Sequence, residues 1–159
     1  MMRPLRYMAC TLLLAVACGR PASEEFFVRT SDRDEAGRYC FRMDFADSTA
    51  VFDMDLLVCL RSDDMRFARF RQMPLQVRWT APSGQLYGDS LWVSRKDLSD
   101  STYYDKNFWI PYRRSMRPVE AGEWSLALIL PENLIKTYDI LGTGVRLTRK
   151  KTEEWDTAN

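Results

Sequence analysis

Of the side chains that could carry out chemistry in these 159 residues, histidine is missing altogether. Its absence removes Ser-His-Asp and Cys-His machinery, His-based zinc sites and the commonest general acid–base group. A serine nucleophile would then need a lysine base, and none of Lys96, Lys106, Lys136, Lys150 or Lys151 stands in S-x-x-K spacing. Asp53-Met54-Asp55 and Asp63-Asp64 are the densest carboxylates. A calcium loop needs six or more oxygens and a glycine at its sharp turn, and neither stretch has that glycine. Nothing singles out a glycosidase pair. Gly142-Thr143-Gly144 precedes a strand rather than following one, so it reads as a turn and not a phosphate loop. The expectation is a protein that is not an enzyme and carries no metal. What remains is sulfur: Cys10, Cys18, Cys40 and Cys59.

Cys18 follows Ala15-Val16-Ala17 at the end of an uncharged run from Tyr7, with Arg3 and Arg6 ahead of it. The run falls short of the ~20 apolar residues that span a bilayer but suits a secretory signal. A cysteine behind small residues there resembles a bacterial lipobox. In that motif the thiol takes a diacylglycerol, and the new amino terminus an N-acyl chain, after cleavage. The alternative is a plain A-x-A signal with Cys18 present by chance. The lipid reading predicts a signal peptide over 1–17 and a mature protein held at a membrane by acyl chains, which together anchor stably. Cleavage before Cys18 leaves 142 residues, enough for one domain. Without Arg3 and Arg6 the balance is 21 basic to 22 acidic residues, which gives no electrostatic pull toward nucleic acid.

In an exported protein two further cysteines suggest a disulfide. Tyr39, Phe41, Met43 and Phe45 alternate with polar residues, as do Met54, Leu56, Val58 and Leu60. Folded as a hairpin with Phe45 opposite Met54, these strands set Cys40 opposite Cys59, within disulfide reach. The alternative is two unpaired thiols on neighbouring strands.

The elements that must position these residues are nearly all β. Residues 18–34 read as a lipid-anchored tether in which Phe26–Val28 adds an edge strand. A β domain spans 35–148, and 149–159 is a charged tail. Leu75–Thr80 and Leu86–Val93 flank Ala81-Pro82-Ser83-Gly84, a type I turn signal. Lys96–Asn107 reads as a polar loop, and Phe108–Tyr112 as a short strand whose proline marks an edge or end. Trp124–Leu130 is a central strand. Pro131–Leu141 reads as a single helical turn or an ordered loop: Leu134, Ile135, Tyr138 and Leu141 have helical spacing, and Gly142 would cap it. Gly144–Thr148 closes the chain. Turn-punctuated strands without βαβ alternation predict an all-β antiparallel sandwich, jelly-roll-like. Its expected core is Phe41, Met43, Phe45, Leu56, Val58, Val77, Trp79, Trp124, Leu126, Leu128 and Val145.

Taken in order, Cys18, Asp44-Phe45-Ala46-Asp47-Ser48, Leu60-Arg61-Ser62, Pro82-Ser83-Gly84, Asp89-Ser90-Leu91, Ala121-Gly122-Glu123-Trp124 and Ile140 to Leu147 resemble the gliding-motility lipoprotein H family, the GldH-type envelope lipoproteins. The likeness covers most of the mature chain. It departs at Tyr103–Trp109, which lacks the glycines of the family's Gly-x-Trp-x-Gly-like stretch, and at the arginine-rich Met65–Met73. It implies a cell-envelope lipoprotein, facing the periplasm or the cell surface, within a gliding-motility or protein-secretion assembly, with envelope proteins as partners.

Two surfaces could meet those partners. Trp92, Tyr103, Tyr104, Trp109 and Tyr112 surround the polar loop and could stack on sugars, or simply pack in the sandwich. A membrane-anchored carbohydrate- or ligand-binding module is therefore the second reading. Exposed coplanar rings would favour it, whereas an unpaired edge strand or flat apolar patch would favour a protein. The basic runs Arg66, Arg69, Arg71 and Arg113, Arg114, Arg117 could touch acidic partners or headgroups, or be solvated connections with Phe67 or Phe70 plugging the core.

Overall fold

The computed structural model describes residues 23–150, and these form an antiparallel β-sandwich. Strands run β1 Ser23–Arg29, β2 Tyr39–Phe45, β3 Phe52–Arg61, β4 Gln72–Thr80, β5 Leu86–Ser94, β6 Leu98–Ser101, β7 Asp105–Met116, β8 Gly122–Ile129 and β9 Ile140–Arg149. Two short helices, α1 Asp64–Phe67 and α2 Glu132–Tyr138, join β3 to β4 and β8 to β9. One sheet has the order β1-β9-β3-β7-β6 and the other β2-β8-β4-β5. With the short β6 set aside, two four-stranded sheets exchange strands in the order of a jelly roll. Residues 1–22 and 151–159, and with them the signal peptide, Cys18 and most of the charged tail, lie outside the described residues.

Period-2 alternation decides which side chains meet between the sheets. Along β2 every odd residue is buried and every even one exposed. The eleven residues expected in the core are all buried there. Phe67 and Phe70 plug one end of it, stacked on each other at 5.7 Å, so the arginines between and after them stay at the surface. Ala81–Gly84 closes as the predicted turn, with the Gly84 N–H donating to Ala81 O at 2.8 Å.

Several local expectations need correction. Tyr39–Phe45 and Phe52–Arg61 do not form a hairpin: β2 pairs with β8, whereas β3 pairs with β7 and β9 in the opposite sheet. Both cysteines do face away from the core, as their parity requires. On opposite sheets, however, "away" means opposite sides of the molecule. Cys40 and Cys59 are free thiols. The edge strand expected at Phe26–Val28 is present but longer: Ser23–Arg29, inside the span assigned to the tether, form β1, paired along its length with β9. The polar loop 96–107 contains β6 and the start of β7. Asp139, in the left-handed region at φ 47°, caps α2 in place of Gly142. Gly142 and Gly144 are mid-strand in β9 instead of forming a turn. A Cβ at 142 would sit 2.6 Å from the Phe27 ring and 2.5 Å from Val28 O, so the glycines let β1 lie close.

Candidate functional site

The singled-out carboxylates have structural partners. The Asp63 side chain accepts the Arg66 N–H and caps α1. Asp55 binds Arg114 at 2.5 Å, and Asp53 accepts the Ser115 N–H at 2.8 Å and pairs with Lys150. That backbone donor, with Lys150 behind it, holds the Asp53 carboxyl below its usual range. Asp64 reaches Lys106, which sits on the inner face of β7 opposite Leu60 and is fully buried. The Lys106 ammonium donates to Asp64 Oδ1 at 2.8 Å and to the carbonyls of Thr102 and Tyr103. It lies 5.5 Å from the Phe67 ring centre. A buried cation satisfied this way tethers the loop that carries Tyr103 and Tyr104. Parity, which predicts an apolar residue at 106, gives no hint of it. Among the described residues no group of three metal-ligating side chains converges.

The five aromatics do not form one platform. Tyr103 and Tyr104 project from the β6–β7 loop with their rings at 89° to each other. Trp109 is on the outer face of its sheet, covered by the Arg146 guanidinium at 3.8 Å. Tyr112 turns toward the interior, where its hydroxyl accepts the Trp79 indole N–H at 3.2 Å. Tyr103 and Tyr104 touch each other with ring centres 4.5 Å apart, and Trp92 and Tyr112 face a shared groove of about 340 Å³ between β5 and β7 that Leu91, Ile110 and Pro111 line together with the charged Asp89, Lys96 and Asp97.

A second cavity of about 250 Å³ opens farther along this side. Trp79 and Trp124, edge to face at 6.0 Å, form its floor, and Tyr87 stacks on Trp124 at 6.0 Å. Arg113, Arg117 and Val119 stand at its walls, and no carboxylate lines it. Arg113 is paired with Asp89 of β5 at 2.7 Å, whereas Arg117 has no ion-pair partner among the described residues. Sequence reasoning places the two tryptophans in the core and misses that Tyr87 and the 113–119 segment turn their rim into a pocket. The basic run at 113–117 was the available signal.

Both cavities flank β5, which among the described residues pairs only with β4. The Ala81 N–H donates to Gln85 O at 2.9 Å, which fixes the odd-numbered residues as the bonded pairs of this ladder. The N–H and C=O groups of Leu86, Gly88, Ser90 and Trp92 therefore point outward. Consistent with this, the Ser90 N–H is taken up by the Asp89 carboxylate at 2.9 Å rather than by β4. Edge strands are normally blunted by charge or proline. Strand β1 has Glu24, Glu25 and Arg29, and β2 has Arg42 and Asp44. On β7 the odd-numbered Trp109 N–H faces β6 and meets Ser99 Oγ, so Pro111, two residues on, removes the donor just beyond the end of β6. Along the nine residues of β5 the single charge is Asp89, while Leu86, Trp92 and Tyr87 are 74, 58 and 39% exposed.

Comparison with known protein families finds no matching model, and no curated protein is significantly similar to this chain.

Proposed function

We propose that this protein is a non-catalytic, lipid-anchored component of the cell envelope, fastened through Cys18, that works by contact with another envelope protein. Its partner belongs to a gliding-motility or protein-secretion type of assembly, as the resemblance to GldH-type lipoproteins implies. The observation that supports contact with a protein is the β5 edge: nine residues with one charge, outward backbone groups and exposed Leu86, Tyr87 and Trp92. The ligand-binding alternative loses its best support, because the rings of Tyr103, Tyr104, Trp109 and Tyr112 are neither coplanar nor gathered on one face.

Two measurements test the reading. Labelled palmitate supplied to cells should enter the wild-type protein and not Cys18→Ala, and the variant should leave the membrane fraction. Capture of the acylated protein from crosslinked envelopes should bring down a specific protein. A Cys18→Ala variant that still sediments with membranes contradicts the anchor. Capture of no protein, with retention on a glycan array, would replace protein contact by sugar binding.

A further inference from the structure

We infer that β5 is an acceptor edge for an extended segment of the partner, which adds a strand and drops alternate side chains into the two cavities beside it. This rests on the protein-contact reading and specifies its chemistry. Strand addition draws affinity from main-chain hydrogen bonds and specificity from pockets that take every second side chain. The outward N–H groups of Leu86, Gly88 and Trp92, with the outward C=O groups of these residues and of Ser90, supply the main-chain half, the Ser90 N–H being held by the Asp89 carboxylate. The pockets supply the other. Inward-facing Tyr87 borders the aromatic cavity, inward-facing Leu91 borders the groove with Tyr112, and Asp89 with its Arg113 partner stands between them.

Tyr87 and Leu91 are four residues apart, so an added strand meets the cavities with side chains at positions i and i+4. The residue between them, opposite Asp89, must be small or polar. At the wall of the aromatic cavity the segment meets Arg117, a cation without a partner among the described residues, in a lining that holds no carboxylate. Charge complementarity calls for an acidic residue there. The partner sequence is thus apolar-x-small-x-apolar, with an acid two residues past one end.

The probe is the labelled nonapeptide Glu-Thr-Phe-Thr-Ser-Thr-Phe-Thr-Glu, which reads the same in both directions, followed by fluorescence anisotropy. Wild-type protein should bind it saturably. Gly88→Pro removes an outward donor on an edge, where proline is tolerated and nothing crowds the added side chain, and should weaken binding by about tenfold or more. N-methylation of the peptide's alternate amides leaves the protein untouched and should cost about as much. Arg117→Glu should weaken the acid-ended peptide by roughly fivefold or more while improving its lysine-ended counterpart. The proposal is overturned if wild type shows no saturable binding up to about 1 mM, if neither Gly88→Pro nor N-methylation weakens it, or if Arg117→Glu leaves both peptides unchanged. An envelope protein crosslinked to another face of the sandwich, with no peptide bound, would remove this inference and leave the protein-contact reading standing.

Discussion

At the scale of single residues, burial separates the two thiols that parity had seemed to join. Desolvation, reinforced by the Asp105 carboxylate, pushes the Cys59 thiol up to about 11. Cys40, at the surface beside Asp34, is raised as well, with burial the larger cause. Thiolate is the reactive form. At pH 8 Cys40 should therefore react first with iodoacetamide, and mass spectrometry of the unfolded domain should count both cysteines as free thiols. A disulfide-linked tryptic pair would contradict the two-sheet placement of β2 and β3. The unfolded thiol ionises near its ordinary value of 9.0, below the folded Cys59 value. The contribution of Cys59 to stability is thus complete below about pH 9 and declines as pH rises toward about 11. Lys106 is the other decisive residue. Replacing it with methionine removes the ammonium's hydrogen bonds to the Thr102 and Tyr103 carbonyls and should lower stability by about 2 kcal/mol in urea melts, since hydrogen bonds to charged groups contribute ~1.5–3 kcal/mol. Asp64→Asn should cost much less, because that carboxylate is mostly exposed.

At the scale of elements, β1 and β9 depend on glycine. Gly142→Ala drives a Cβ against backbone Val28 O and the Phe27 ring, and overpacking of this kind costs ~1–3 kcal/mol. The expected outcome is a lower melting temperature together with faster proteolysis near residue 29 as β1 loosens. Unchanged proteolysis would mean that β1 is held by something other than close approach to β9. Alternation made the strands legible, down to the inward and outward sense of Cys40 and Cys59. It could not say which strands become neighbours, because pairing within each sheet is non-local: β2 meets β8 at separations from 77 residues (Phe45 to Gly122) to 89 (Tyr39 to Leu128). The short β6 was hidden because Leu98-Ser99-Asp100-Ser101 has the composition of a loop and is recruited by the uncovered flank of β7.

For the whole molecule, the open side between β5 and β7 is the feature to which function is assigned. Its parts were readable one at a time: Trp92 and Tyr112 as exposed or stacking rings, Trp79 and Trp124 as apolar strand positions, Arg113 and Arg117 as a basic run. Their meeting was not, since it follows from the jelly-roll order that sets β5 and β7 at the same flank of opposite sheets. The most direct test places a photo-crosslinking amino acid at Trp92, on the β5 edge, and separately at Arg42, on the outer face of the charged edge strand β2, in membrane-anchored protein in intact cells. The account predicts a discrete protein adduct from position 92 and none from position 42. Equal adducts from both positions, or none from 92, would contradict it.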